Sequence, residues 1–180
     1  MLLTHNFVMQ PKTQRITKVE AQQLTRHKLP RFLATKGFVH NQILAHNHDP
    51  HVRQELMKDL GERAGKGNLP AFKLIVKFAF ESKDVLDHGR AVRLLENLAK
   101  KRDKRAFDAL GDVALNHENK SFRTNALIAL RRLAKLGHKE VVDILNQVRI
   151  KETDPHNRGL AGGGLRDYKQ ATSTQRKRFN

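Results

Sequence analysis

A chain of 180 residues suffices for one domain with extensions, and its net charge of +17, from 35 Lys and Arg against 18 Asp and Glu, predicts attraction to polyanions. The absence of cysteine excludes disulfides, thiolate chemistry and Cys-based zinc sites, and fits a cytoplasmic or other reducing compartment. No stretch has the apolar length of a membrane span, and a hydrophobic content of 38% leaves some segments outside a compact core.

Residues 1–16 read as an extended arm. Met1 to Pro11 has no basic start and is not a secretory signal; residues 1–19 carry Lys12, Arg15 and Lys18 but lack the Ser and Arg richness of a transit peptide. Thr17 to Glu20 forms a capping box, Thr-x-x-Glu, predicting a short helix from about Lys18 to His27 that Pro30 interrupts. A second helix is expected over Arg31 to His46, kinked at Gly37. Asp49-Pro50 opens the next, since Asp accepts from free N–H groups and Pro at the first helical position loses nothing. It runs to about Arg63 and stops at Gly65-Lys66-Gly67. A buried helix follows from Leu69-Pro70, with Phe72, Leu74, Ile75, Val76, Phe78 and Phe80 around most of its circumference. Further helices are expected at about His88–Lys101, Arg105–Asn116, Ser121–Leu136 and Lys139–Ile150, joined by short polar linkers that imply antiparallel neighbours. After Ile150 no apolar period is evident. Residues 151–180, with Pro155, Gly159, Gly162, Gly163, Gly164 and Arg176-Lys177-Arg178, read as a flexible basic tail able to order on a partner.

A repeat of 35 residues organises the middle of the chain. Ala71-Phe72, Ala106-Phe107 and Val141-Val142 stand in phase, as do Ile75, Leu110 and Leu145, then Phe78, Val113 and Val148. A second stripe holds Leu60, Leu95 and Leu130 with Ala64, Ala99 and Ala134. Two apolar stripes in fixed phase predict stacked helix hairpins, each burying its stripe against its neighbours. Ile43 is in phase with Phe78 and suggests a degenerate opening repeat.

The segment Asp49-Pro50-His51-Val52-Arg53-Gln54-Glu55-Leu56-Met57-Lys58-Asp59-Leu60-Gly61 resembles the second half of a HEAT repeat, and Ser121 to Leu130 repeats the pattern. The middle copy departs, with Asp87 and His88 in place of the apolar residue and the Arg. The resemblance covers about residues 37–150. It implies an all-α chain: a right-handed α-solenoid of about three to four antiparallel helix hairpins, with residues 17–150 as the repeat domain and the second helices lining the concave face. An armadillo-type or other hairpin array is the alternative. For Arg53 and Arg123 the resemblance implies contacts between repeats with an acidic neighbour.

The second helices carry bases at helical spacing. Arg90, Arg93, Asn97 and Lys100 or Lys101 share one face, as do Ile128, Arg131, Arg132 and Lys135; Arg53 and Lys58 belong to the earlier repeat. Together with Arg123 and the tail cluster Arg176, Lys177 and Arg178, these are the candidate binding residues. Stacked repeats would align the charges into a strip that tracks a phosphate backbone, each base displacing condensed counterions. The competing reading is a solvated set of helix faces, some paired with Asp59, Glu62 or Glu96. Base stacking has few platforms, because the aromatic residues, 6% of the chain, mostly fall at core phase.

No cofactor or metal is expected. His40, His46, His48 and His51 cluster in sequence, but only Asp49 is placed to assist, so they read as surface histidines. Gly162-Gly163-Gly164 is followed by no Gly-Lys-Ser or Gly-Lys-Thr and preceded by no strand, which argues against a nucleotide site. The expected function is therefore a non-enzymatic binding module docking on nucleic acid, RNA rather than DNA, or on a ribonucleoprotein. The alternative is an adaptor or scaffold subunit holding an acidic protein surface; a small-molecule ligand is not expected. A remote third reading, a HEAT-like DNA glycosylase, lacks a catalytic Asp set in a basic aromatic cleft.

Overall fold

A computed structural model of the chain describes residues 50–179, with side chains for residues 51–175. The arm, the Thr17–Glu20 box, the two helices expected before residue 47, Ile43, and His40, His46 and His48 lie outside the described residues. The described part contains seven helices and no strand: α1 (Pro50–Gly65), α2 (Leu69–Glu81), α3 (Val85–Lys100), α4 (Lys104–Asn116), α5 (Lys120–Lys135), α6 (Val141–Lys151) and α7 (Pro155–Phe179). None is long and apolar enough to cross a membrane.

Local chemistry sets these bounds. Asn68, Asp84, Asp103 and Asn119 each cap the following helix by accepting from its free N–H groups, which costs about 1 kcal/mol to lose at each site. Asp154 does the same for α7, accepting from the Asn157 amide at 3.0 Å. The turns that close α1, α3 and α5 share one geometry. Gly67, Arg102 and Gly137, spaced by 35, adopt φ of 87°, 64° and 80°. Each donates to a carbonyl three residues back, and the next residue to one five back, so the last carbonyls of the helix are satisfied.

Consecutive helices pack on one another, and helices two apart also touch. α1, α3, α5 and α7 form one rank; α2, α4 and α6 form the other. The core lies between the ranks. Both stripes read from the sequence are buried in it, except for Val142, which is half-buried. Glycine allows close approach where ranks tighten: a Cβ on Gly61 would sit 2.6 Å from Leu94, and one on Gly111 3.1 Å from Ile144.

The flexible tail expected after residue 150 is not what the structure has. Residues Pro155–Phe179 form a helix packed against both α5 and α6. Two of its glycines, Gly163 and Gly164, are interface residues rather than breakers. A Cβ on Gly164 would meet Leu145 Cδ1 at 2.8 Å, and one on Gly163 would meet the Arg131 guanidinium carbon at 3.3 Å. Ala161 is fully buried, in phase with buried Ala91 and Ala126. The helix gains packing area that outweighs the weak helical preference of glycine.

Candidate nucleic-acid interface

The candidate bases lie on the first-rank helices and the turns that close them. Lys58, Arg93, Lys100, Lys101, Arg132 and Lys135 are exposed, whereas Arg53, Arg90, Arg123 and Arg131 are partly buried. That division tracks what each side chain bonds.

Arg53 and Arg123 are engaged in the protein's own joints. Arg53 Nε donates to Asp87 Oδ2 at 2.6 Å and its Nη2 to Asp84 Oδ2 at 3.2 Å, tying α1 to the start of α3. Arg123 grips Glu152 with two bonds, 2.8 and 3.1 Å, tying α5 to the turn before α7. Glu152 also accepts from Asn157 Nδ2 and from the Asp154 amide, both at 3.1 Å. The Arg123 hydrogen bonds, more than the other contacts, hold the Glu152 carboxyl down at about 2, and the same bonds raise Arg123. Both guanidinium groups bond acidic neighbours within the chain, so a partner reaching them would compete with these joints. The middle joint is built differently, because His88 stands where the others have Arg. Its ring stacks on Phe122 at 3.8 Å and 9°, with His117 edge-on at 5.7 Å. His88 Nδ1 donates to the Ala79 carbonyl at 2.9 Å, while Nε2 is buried without a partner. Burial holds the His88 pKa below its usual value.

Three further arginines lie on the seams of the rank. Arg90 bonds Asp87 at 3.0 Å and reaches Gln54 at 3.4 Å; Arg131 bonds Asp167 at 2.6 Å; Arg132 bonds Glu96 at 3.3 Å, beside Lys100 at 2.8 Å from the same carboxylate. From α3 to α7 the rank contains only three acids, Asp87, Glu96 and Asp167, and each is already bonded to a base. Arg93, Lys101 and Lys135 remain exposed with no ion pair among the described residues, as does Lys58 on α1, next to the acids Glu55 and Glu62. α7 adds two more exposed bases that the sequence reading passed over, Arg166 and Lys169, but these line a groove against α6 rather than joining Arg93 and Lys135. The signal was present: Arg166 is in phase with Arg131. Arg176, Lys177 and Arg178 lie in the last turns of α7, with side chains outside the description.

The second rank has the opposite texture. Exposed Asp108, Asp112 and Asp143 accompany its lysines, so its surface is mixed in sign. Arg105, on α4, is held by Asp103 at 2.6 Å and lies 4.7 Å over the Phe72 ring. No group of three or more His, Asp or Glu able to hold a metal ion occurs among the described residues. Neither protein-family models nor curated proteins give a match to this chain.

Proposed function

We propose that the chain is a non-enzymatic α-solenoid of 35-residue helix hairpins, similar to HEAT arrays, whose first-rank face docks on nucleic acid, RNA rather than DNA, or on a ribonucleoprotein. One observation carries this reading: from α3 to α7 every acid of that rank's helices is consumed by an internal pair, while Arg93, Lys101 and Lys135 stay exposed without one. Such a face offers phosphates a row of cations without competing carboxylates, and attracts them by counterion release rather than by base readout. The packing of each helix on the next and next-but-one supports the stacked arrangement that aligns these bases.

The test is a salt titration of binding to a folded RNA and to duplex DNA, with polyglutamate as competitor. Each phosphate contact contributes about −0.7 to −0.9 to the slope of log K against log salt. Arg93→Glu with Lys135→Glu should flatten that slope by about two contacts and weaken binding strongly. Lys73→Glu with Lys77→Glu, on the second rank, should change little. Equal loss in both double variants would show attraction to net charge alone. Displacement by polyglutamate at the same charge concentration as RNA would favour the adaptor for an acidic protein.

A further inference from the structure

Among the described residues the first rank has four helices and the second three. α7 extends the first rank, and no described helix follows it in the second. Positions covered in earlier repeats are open on α6: Phe72 and Phe107 are buried, but Val142 in the same phase is half-buried, and Ile150 is 77% exposed. Between α6 and α7 runs a groove of about 410 Å³. Val142, Leu165 and Tyr168 supply its apolar lining; Arg149, Arg166 and Lys169 supply its charge, and no carboxylate lines it. Gly162 also borders it, and unlike Gly163 and Gly164 it admits no neighbouring helix. A Cβ there would meet nothing closer than Arg166 Nη1 at 3.8 Å. Its missing side chain leaves the groove open.

We propose that this groove seats one acidic, amphipathic helix of a partner protein, laid along α6 and α7. The apolar residues provide anchoring points for side chains at i, i+3, i+4 and i+7, the recurrent way a helix occupies a groove. The three cations select acidic residues flanking that stripe. A nucleic acid would satisfy the cations but leave Val142, Leu165 and Tyr168 wet. A second copy of this chain would bring its own net charge of +17 against them. The groove uses neither Arg93 nor Lys135, so the inference stands apart from the nucleic-acid reading.

The probe is a designed peptide with Leu at those four spacings and Glu elsewhere, titrated into the full-length chain by fluorescence anisotropy and by amide chemical shifts. The expected result is saturable binding, with shifts centred on Val142, Asn146, Gly162 and Tyr168. A scrambled peptide of identical composition should bind about tenfold more weakly or worse, since it lacks the apolar stripe. Arg149→Glu with Lys169→Glu, both exposed, should weaken binding about tenfold or more, while Arg93→Glu with Lys135→Glu leaves it unchanged. Gly162→Leu, with its melting curve checked, should block the groove. Equal affinity for the scrambled peptide would overturn the proposal, as would shifts centred on Arg93 and Lys135, or binding undiminished by Gly162→Leu in a folded protein.

Discussion

Replacing Glu152 by Gln keeps the shape of the side chain and removes its charge. The wild-type carboxyl titrates at about 2 rather than 4.5, chiefly because Arg123 bonds it, and its side chain is only 5% exposed. A depression of that size corresponds to about 3 kcal/mol of folding stability at neutral pH. Because the folded pKa lies below the unfolded one, the contribution is complete above pH 4.5 and is lost as pH falls toward 2. Glu152→Gln should therefore lower Tm at pH 7 by on the order of 10 °C, with Arg123 left half-buried beside a neutral amide. The gap between the two proteins should then close as both are acidified. Circular dichroism follows the whole array, and the fluorescence of Tyr168, the single tyrosine, follows α7. The two probes together show whether the loss begins at this joint. A gap that stays constant from pH 7 down to about pH 2.5 would refute the assignment, because the deficit would then not depend on an ionised carboxylate. A deficit under about 1 kcal/mol at pH 7 would demote the bond to an ordinary surface pair.

Three other outcomes are expected. Ending the chain at Thr153 should lower Tm markedly and raise dye binding, because α7 packs over Leu145 and Arg131; unaltered melting would restore the picture of a loose tail. Arg102→Gly should stabilise by about 0.5–1 kcal/mol in chemical denaturation, since the turn requires φ of 64° and the relief of strain exceeds the entropy that glycine adds to the unfolded chain. His88 is held neutral by burial, so its folded pKa lies below the unfolded value near 6.5, and stability should decline as pH falls through that region. His88→Phe should remove this decline; a decline that persists in the variant would place its origin elsewhere.

Six helices were legible from the sequence to within a few residues. Their buried faces follow leucines and alanines in phase, whereas the caps at four of their starts, Asn68, Asp84, Asp103 and Asn119, went unread. The seventh was legible too, but by a different rule. Asp154-Pro155 lies three periods after Asp49-Pro50, and Leu165 continues the series Leu60, Leu95 and Leu130. Reading Gly162-Gly163-Gly164 as breakers hid this, because small residues at a tight interface and small residues in a loop look alike in sequence. The bases divided the same way. Their helix faces follow from spacing, but their partners do not. Arg90 with Gln54, Arg131 with Asp167 and Arg132 with Glu96 are each separated by 36 residues, one more than the period. That offset exists only once the first-rank helices lie side by side, so no local pattern announces which charges are spent.

The three joints of the first rank are chemically unlike, and they should yield differently under load. Arg53 and Arg123 hold their acids through forked, directional bonds, which resist sliding and rotation alike. At the middle joint two flat rings lie nearly parallel, and a ring stack tolerates lateral slip far better than a guanidinium fork. At the other end of the same seam exposed Arg132 reaches the buried Glu96 carboxylate and can act as a tether while this happens. Bending stress imposed by a large, stiff partner would then collect between α3 and α5. The helices on either side of that seam would then pivot about it, changing their mutual angle at one place.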